Sequence, residues 1–283
     1  MHFLSLVLAI AVVFCSQLAH AAETAELDLI FPRNETYHPI YPFPIVFALR
    51  NPAALWPFDF TLSARLKWWD PLENRIAWAE AGFEHGGHFP NSDSGIYDHS
   101  HEYPGNASEP LWIINSSIAI PDLTQSTTGA IVWEFGLDDN CTGNVDPEDT
   151  VGWPGHFKNY VELSFARGGI LPFDAFDSEQ CPVAVGAIGI AGQMQPEGPL
   201  SDTGTCPILM NEQPEPEPCA LPIDERLGTR VTQAMMSSIS CDATSWPDPT
   251  ATSCEQLSGA QTVKSSLGLV SVALIGIMII YQL

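Results

Sequence analysis

The sequence contains few basic residues. Only 10 of its 283 residues are Lys or Arg, against 34 Asp and Glu, and the formal net charge is −24. Nucleic acids and anionic membrane surfaces attract positively charged proteins, so neither is expected as a partner. An acidic surface is typical of a well-solvated protein, and a cationic ligand is the weaker interpretation.

Motifs of several enzyme classes are also lacking. The chain has no GxSxG nucleophile elbow and no CxxC pair, and the sequence HEYPG at His101 lacks the second histidine of an HExxH zinc helix. The stretch from Gly186 to Gly192 reads GxxGxxG, which is not the dinucleotide-binding fingerprint. No cofactor is expected, and no carboxylate pair stands out as a glycosidase dyad. A non-catalytic protein is therefore favoured.

No long segment with helical periodicity precedes residue 200, and short strand-like runs replace it. Each run is bounded by Pro, Gly, Asn or Asp. The runs are Glu26–Phe31, Phe43–Leu49, Phe60–Trp68, Arg75–Glu80, Leu111–Ile120, Ala130–Phe135, Tyr160–Ala166 and Val183–Ile190. They predict an all-β fold, an antiparallel β-sandwich of immunoglobulin-like or similar type, with a barrel as the alternative.

Alternation within the runs predicts which faces are buried. Five apolar residues between Phe60 and Trp68 alternate with polar ones, so that strand buries one face. The first strand is also expected to bury one face, with Glu26 and Asp28 on the other, whereas Phe43–Leu49 reads as covered on both sides. The core is expected to contain three tryptophans, Trp68, Trp78 and Trp133. Two others, Trp69 and Trp153, are freer to be exposed, which by itself is a thin basis for a sugar-stacking surface.

The two ends of the chain carry apolar segments. Residues Phe3 to Phe14 precede a small-x-small site ending at Ala21, which predicts a signal peptide over residues 1–21. Cleavage after Ala19 instead would leave His20 as an N-terminal copper chelator. The uncharged tail Leu267–Leu283 follows three small residues, which favours a glycolipid (GPI) anchor attached at Ser258. A retained transmembrane helix is the alternative for the tail.

These features divide the chain into four regions. Residues 1–21 are the signal peptide, 22–200 the β-sandwich, 201–258 a small, disulfide-rich Pro/Cys appendix and stalk, and 259–283 the anchor propeptide or transmembrane tail. Within the appendix, Asp224 is expected to cap a short helix whose Leu227, Val231 and Met235 share one face.

Cysteines and sequons agree with export. Cys15 leaves with the signal, and an even set remains, which predicts three disulfides. The set is Cys141, Cys181, Cys206, Cys219, Cys241 and Cys254. Fifteen pairings are open, and sequential pairing is preferred. Four sequons predict N-glycosylation at Asn34, Asn106, Asn140 and, less firmly because it falls inside a strand, Asn115.

Two loops contain groups that are able to bind metals. The acidic loop partly matches an EF-type calcium loop, with ligands at Asp138, Asn140, Asp146 and Asp149. Four loop histidines, His85, His88, His99 and His101, are a candidate copper or zinc set. In both cases the preferred interpretation is a solvated loop without metal.

Three segments carry a resemblance to a known family. LDLIFPRNETY at Leu27, PIVFALRNP at Pro44 and KWW at Lys67 resemble an uncharacterised domain family of secreted fungal proteins, many of which end in a GPI-anchor signal. The matching positions are Phe31, Pro32, Arg33, Asn34 and the run Pro44–Ala48. The resemblance implies location and architecture and supplies no catalytic residue.

The expected function is that of a cell-surface glycoprotein with a structural or adhesive role. The alternative is a surface module that binds carbohydrate or a metal ion, Ca or Cu, and a carbohydrate-active enzyme is the weakest interpretation. Expected partners are cell-wall polysaccharide or other surface proteins. The expected location is the extracellular face of the plasma membrane or the cell wall, reached through the secretory pathway and held through a lipid anchor or C-terminal helix.

Overall fold

The computed structural model describes residues 23–70, 74–85, 95–98, 109–117, 127–137, 155–172, 181–194, 205–221, 223, 225–238 and 246. Within these residues lie eleven strands, two short 3-10 turns and one α-helix. The strands are β1 Glu23–Phe31, β2 Thr36–Tyr37, β3 Phe43–Arg50, β4 Phe60–Asp70, β5 Arg75–His85, β6 Gly95–Asp98, β7 Leu111–Ser117, β8 Thr127–Leu137, β9 His156–Phe165, β10 Val183–Met194 and β11 Cys206–Leu209. The 3-10 turns are Pro52–Ala54 and Pro218–Ala220, and the helix is α1 Glu225–Ser238.

The strands form two sheets. The five-stranded sheet has the order β11-β10-β1-β3-β7, and the six-stranded sheet has the order β2-β9-β8-β4-β5-β6. Pairing is antiparallel except between β2 and β9 and between β5 and β6, which are parallel. The predicted all-β fold is confirmed, and each of the eight predicted strands is present. Strands β2, β6 and β11 were not predicted, because they are too short to show a period.

Aromatic rings from the facing sheets meet in the core between them. Phe47 on β3 lies 6.5 Å from Trp133 on β8, and Phe43 lies 5.3 Å from Phe165 on β9, between ring centroids. The predicted alternation in β4 is confirmed, since all five apolar residues from Phe60 to Trp68 are buried. Full burial of a leucine or phenylalanine side chain in this strand contributes about 1.5–3 kcal/mol.

The five-stranded sheet is covered on its outer face as well. Helix α1 packs against β3 and β7, and its predicted apolar face of Leu227, Val231 and Met235 is buried. The indole Nε1 of Trp246 donates a hydrogen bond to the Pro42 carbonyl at 3.0 Å. The region predicted as an appendix therefore adds a strand to one sheet and a partial third layer over it.

This covering corrects the prediction for β1. Glu26 and Asp28 were expected on a solvent-facing side, yet both are buried, and Asp28 is fully so. The backbone amide of Glu217, in the proline-rich segment, donates to the Glu26 carboxylate at 2.8 Å. Arg50 on the neighbouring strand β3 forms ion pairs with both acids. A segment distant in sequence thus turned an exposed strand face into a buried one.

The sequential disulfide pairing is wrong. Cys181, just before β10, is bonded to Cys219 in the 3-10 turn, which fastens the proline-rich segment to the start of β10. Cys206 is disulfide-bonded as well. Sequential pairing would have joined Cys206 to Cys219, but β11 begins at Cys206 and runs along β10 before the chain returns to Cys181.

The predicted burial of Trp78 is also wrong, because its side chain is 56% exposed. Strand β5 places Trp68 of β4 opposite Ala77, and paired residues on neighbouring strands share a face. The large Trp68 fills the core at this position, so the small Ala77 faces inward beside it and Trp78 faces solvent.

Candidate functional site

A shallow groove with a volume of about 550 Å³ crosses the outer face of the six-stranded sheet. Its floor consists of the small residues Thr128, Gly129 and Ala130 on β8. A Cβ atom at Gly129 would lie 2.6 Å from the Lys67 carbonyl oxygen, so glycine is required for the close approach of β8 to β4. Larger side chains stand on either side of this floor.

Exposed apolar and aromatic side chains form the walls. Trp69 on β4 is 44% exposed, Ile76 on β5 is 60% exposed and Tyr160 on β9 is 58% exposed. Trp69 is paired with Ile76 across β4 and β5, which places their side chains on the same face. Such clustered exposed apolar groups, rimmed by polar residues, mark binding surfaces more often than isolated ones do.

Two charged groups lie opposite each other across the floor. Lys67 is paired with Ala130, and Ala130 is paired with Glu162, so the three side chains form one row on the outer face. Two strand spacings separate Lys67 from Glu162, roughly 10 Å at the backbone. The row therefore presents a hydrogen-bond donor and an acceptor on opposite sides of a floor flanked by aromatic walls.

The exposed indole of Trp78 extends this surface along β5. Trp78 is paired with Lys67 and lies two residues from Ile76, on the same face. The guanidinium carbon of Arg65 lies 5.7 Å from its ring centroid, a cation–π geometry that holds the indole in place. The apolar wall of the groove thus continues beyond Ile76.

A charged cluster occupies the same face toward the other end of β8. The Glu134 carboxylate contacts His156 Nε2 at 2.9 Å and Lys158 Nζ at 3.1 Å. Partial burial acts to raise the pKa of Glu134, but the hydrogen bonds from His156 and Lys158 outweigh it and lower the pKa below its usual value. The cluster stabilises the pairing of β8 with β9.

The Asn34 sequon lies at the groove. Asn34 is exposed and belongs to the groove lining, and Thr36, two residues later, is exposed too. The sequon is held against the sheet because the Ser164 amide on β9 donates to the Glu35 carbonyl at 3.0 Å. A cis peptide bond joins Phe31 to Pro32 just before this turn.

Most of the predicted metal ligands fall outside the described residues. This holds for the whole acidic set Asp138, Asn140, Asp146 and Asp149, and for His88, His99 and His101. His85 is the last residue of β5, and its backbone is paired with Phe60 on β4 and with Asp98 on β6. Among the residues that the structure does describe, no group of three or more His, Cys, Asp or Glu side chains is arranged to hold a metal ion.

The other predicted sites are distributed as follows. Asn115 is half-buried on β7, in register with Ile45 on β3, while Asn106 lies outside the described ranges together with Cys141, Cys241, Cys254 and Ser258. No helix within the described part of the chain is both long and apolar enough to cross a bilayer.

Sequence reasoning identified Trp69 as an exposed aromatic but missed Ile76 and Tyr160. For Tyr160 a signal was present, because it shares the outward phase of β9 with Lys158 and Glu162. For Ile76 the local pattern was ambiguous, since β5 alternates large apolar residues with alanines and either set is able to face the core.

The fold and the groove together define a two-sheet β-sandwich module with an open, aromatic-walled surface. By sequence, the chain belongs to the family described as Domain of unknown function (DUF7136), whose model matches residues 20–254. No curated protein and no solved structure matches it. Membership in an uncharacterised family agrees with the resemblance drawn from the sequence.

Proposed function

We propose that this protein is a cell-surface glycoprotein that binds carbohydrate through the groove on its six-stranded sheet. The observation that supports this most directly is the exposure of Trp69 and Tyr160 on either side of a floor of small residues. Aromatic rings pack against the C–H face of a sugar ring. A bound sugar would therefore cover apolar ring surface that is now exposed to water.

The polar groups of the groove suit the same ligand. Lys67 offers hydrogen-bond donors and Glu162 offers acceptors, which together match the hydroxyl groups of a sugar. Because the groove is open, an extended polysaccharide chain is able to continue beyond it in either direction. Binding to wall polysaccharide would give the expected adhesive role a molecular basis.

The groove chemistry favours binding over hydrolysis. Among the described residues that line it, Glu162 is the sole carboxylate, whereas glycoside hydrolysis normally uses a pair of carboxyl groups. The protein is therefore proposed to recognise carbohydrate without cleaving it.

The proposal includes export through the secretory pathway, N-glycosylation and retention at the outer surface of a fungal cell by a lipid anchor. The apolar segments at the two ends of the chain and the sequons support these points. The disulfide between Cys181 and Cys219 is compatible with an oxidising compartment.

A glycan array probed with the purified secreted protein tests the proposal. Trp69→Ala and Tyr160→Ala should each weaken binding to the best array carbohydrate about tenfold, since one aromatic contact is worth about 1.4 kcal/mol. Ile208→Ala is the matched control, because Ile208 is exposed on β11 of the other sheet. Binding that survives both groove substitutions, or an array that stays without bound carbohydrate after enzymatic removal of the N-glycans from the protein, would contradict the proposal.

A further inference from the structure

We propose that an N-linked glycan on Asn34 lies in the groove and competes there with external carbohydrate. Asn34, Glu35 and Thr36 form the N-x-T acceptor sequence. Asn34 belongs to the groove lining, and both Asn34 and Thr36 are exposed, so the acceptor is accessible where the groove begins. A glycan attached there starts beside the aromatic walls.

The backbone around the sequon fixes where the glycan begins. Thr36 pairs with Ser164 on β9, and Ser164 pairs with Thr128 on the groove floor. The Thr36 carbonyl also accepts a hydrogen bond from the Ile170 amide at 3.0 Å, which secures the short strand β2 from its other side. The attachment point is therefore held at the edge of the sheet, next to β9.

The distance from this edge to the aromatic wall is short. Three strand spacings separate β2 from β4, the strand that carries Trp69, which amounts to roughly 14 Å. An N-linked glycan contains several sugar rings, so its inner part is long enough to cross the floor and reach Trp69. Its first rings are N-acetylglucosamine, whose acetamido and hydroxyl groups can hydrogen-bond to Lys67 and Glu162 as a free ligand would.

Because the glycan is attached to Asn34, even weak stacking on the aromatic walls is sufficient to keep it in the groove for much of the time. A short flexible link gives the glycan an effective concentration on the order of millimolar at the groove, so even a millimolar intrinsic affinity fills a large part of the sites. External carbohydrate then has to displace the glycan. The glycosylation state of Asn34 would thus set how much of the groove is open to a ligand.

The test compares Thr36→Ala with Thr36→Ser, both secreted from a eukaryotic host. Thr36→Ala destroys the acceptor sequence, whereas Thr36→Ser preserves it, and Asn34 is unchanged in both. Because the Thr36 side chain is exposed and its backbone makes the strand contacts, both variants should fold. Mass spectrometry of the Asn34 peptide reports whether the glycan is attached.

Hydroxyl-radical footprinting then measures the exposure of the groove without any added ligand. Trp69 and Tyr160 should be oxidised at least twofold faster in Thr36→Ala than in Thr36→Ser or the unsubstituted protein. Met194, which is half exposed on β10 of the other sheet, is the internal reference and should react equally in all three. Equal oxidation of Trp69 and Tyr160 in the two variants, or an unglycosylated Asn34 in the unsubstituted protein, would overturn the inference.

The inference rests on the proposed function in so far as the groove must bind sugar, but the two fail separately. If the footprints are equal while Trp69→Ala still weakens binding on the array, the groove binds external carbohydrate and the glycan lies elsewhere. If the glycan protects Trp69 but Thr36→Ala binds no array carbohydrate, the glycan covers the groove and the external ligand is the part that is wrong.

Discussion

Arg50 Nε lies 3.3 Å from Oδ2 of the fully buried Asp28, on the outer face of the five-stranded sheet. The same guanidinium pairs with Glu26 and donates to the Glu217 carbonyl at 2.7 Å. One cation on β3 therefore links two acids of β1 to the proline-rich segment near the C-terminus. Removal of Arg50 would be costly, because Glu26 and Asp28 are buried and would lose the cation that pairs with them.

The first prediction concerns pH. Burial raises the pKa of Asp28 from 3.8 to about 7, and the charge of Glu26 adds to this while Arg50 opposes it. Because the folded protein holds this proton more tightly than the unfolded chain, the contribution of Asp28 to stability is complete below pH 3.8. That contribution is lost as the pH rises through 7.

Relative to Asp28→Asn, the unsubstituted protein should therefore gain about 2 kcal/mol in free energy of unfolding between pH 8 and pH 5. Urea unfolding at several pH values measures the difference, and comparison with the variant cancels the opposite trend of groups such as Glu134. Glu215→Gln replaces an exposed acid of the same proline-rich segment and is the control. The difference in free energy of unfolding between the unsubstituted protein and Glu215→Gln should be the same at pH 5 and pH 8. A constant difference between Asp28→Asn and the unsubstituted protein would show that Asp28 titrates normally.

The second prediction concerns packing between the two sheets at Gly186. A Cβ atom at this position would come within 2.8 Å of three ring atoms of Phe157, which lies on β9 of the facing sheet. Gly186→Ala should lower the free energy of unfolding by about 1–3 kcal/mol, the usual cost of overpacking a core. Thermal or urea unfolding provides the measurement.

Gly192→Ala is the matched control on the same strand, because its nearest neighbour is Ile208 at 3.8 Å, an ordinary contact. Combining Gly186→Ala with Phe157→Leu should recover part of the loss. If Gly186→Ala is as stable as Gly192→Ala, the sheets are packed less closely at this point than the structure shows.

The third prediction concerns the disulfide between Cys181 and Cys219, which closes a loop with a sequence separation of 38. Its removal by Cys219→Ser should cost about 2–4 kcal/mol, because the unfolded chain regains the entropy that the closed loop denied it. Non-reducing peptide mapping should recover a Cys181–Cys219 linked peptide. A Cys206–Cys219 peptide instead would restore the sequential pairing and contradict the structure.

The fourth prediction concerns the contact between α1 and the five-stranded sheet. Leu227 is buried on the inner face of the helix, and Leu227→Ala should cost about 2–4 kcal/mol through lost burial and the cavity left behind. Gln233→Ala, on the exposed side, should change stability by less than about 0.5 kcal/mol. Equal unfolding midpoints for the two variants would show that the helix contributes little to the folded state.

Strand positions were predictable because their signal is local. Period-two alternation in β4 and the continuous apolar run of β3 each identify a strand without reference to any neighbour, and α1 was visible from three apolar residues on one helical face. The groove was predictable only in part. The exposure of Trp69 was predictable, because Trp69 falls in the alternation of β4 at a position where the preceding residues of the same phase are polar. The exposure of Ile76 was not, because it depends on which face of β5 lies beside the large buried residues of β4.

The contrast is clearest at β1. Its alternation is a property of adjacent residues and was enough to assign a strand. The burial of Glu26 and Asp28 required the arrival of Glu217, 191 positions away from Glu26, and the pairing of Cys181 with Cys219 follows from the same covering segment. The meeting of Asn34, Trp69 and Tyr160 at one groove likewise depends on strand order. Local pattern assigns strand or helix conformation, but the facing of β5, the burial of the acidic side of β1 and the contacts between distant segments are set by the packing free energy of the whole chain, and these contacts form the site.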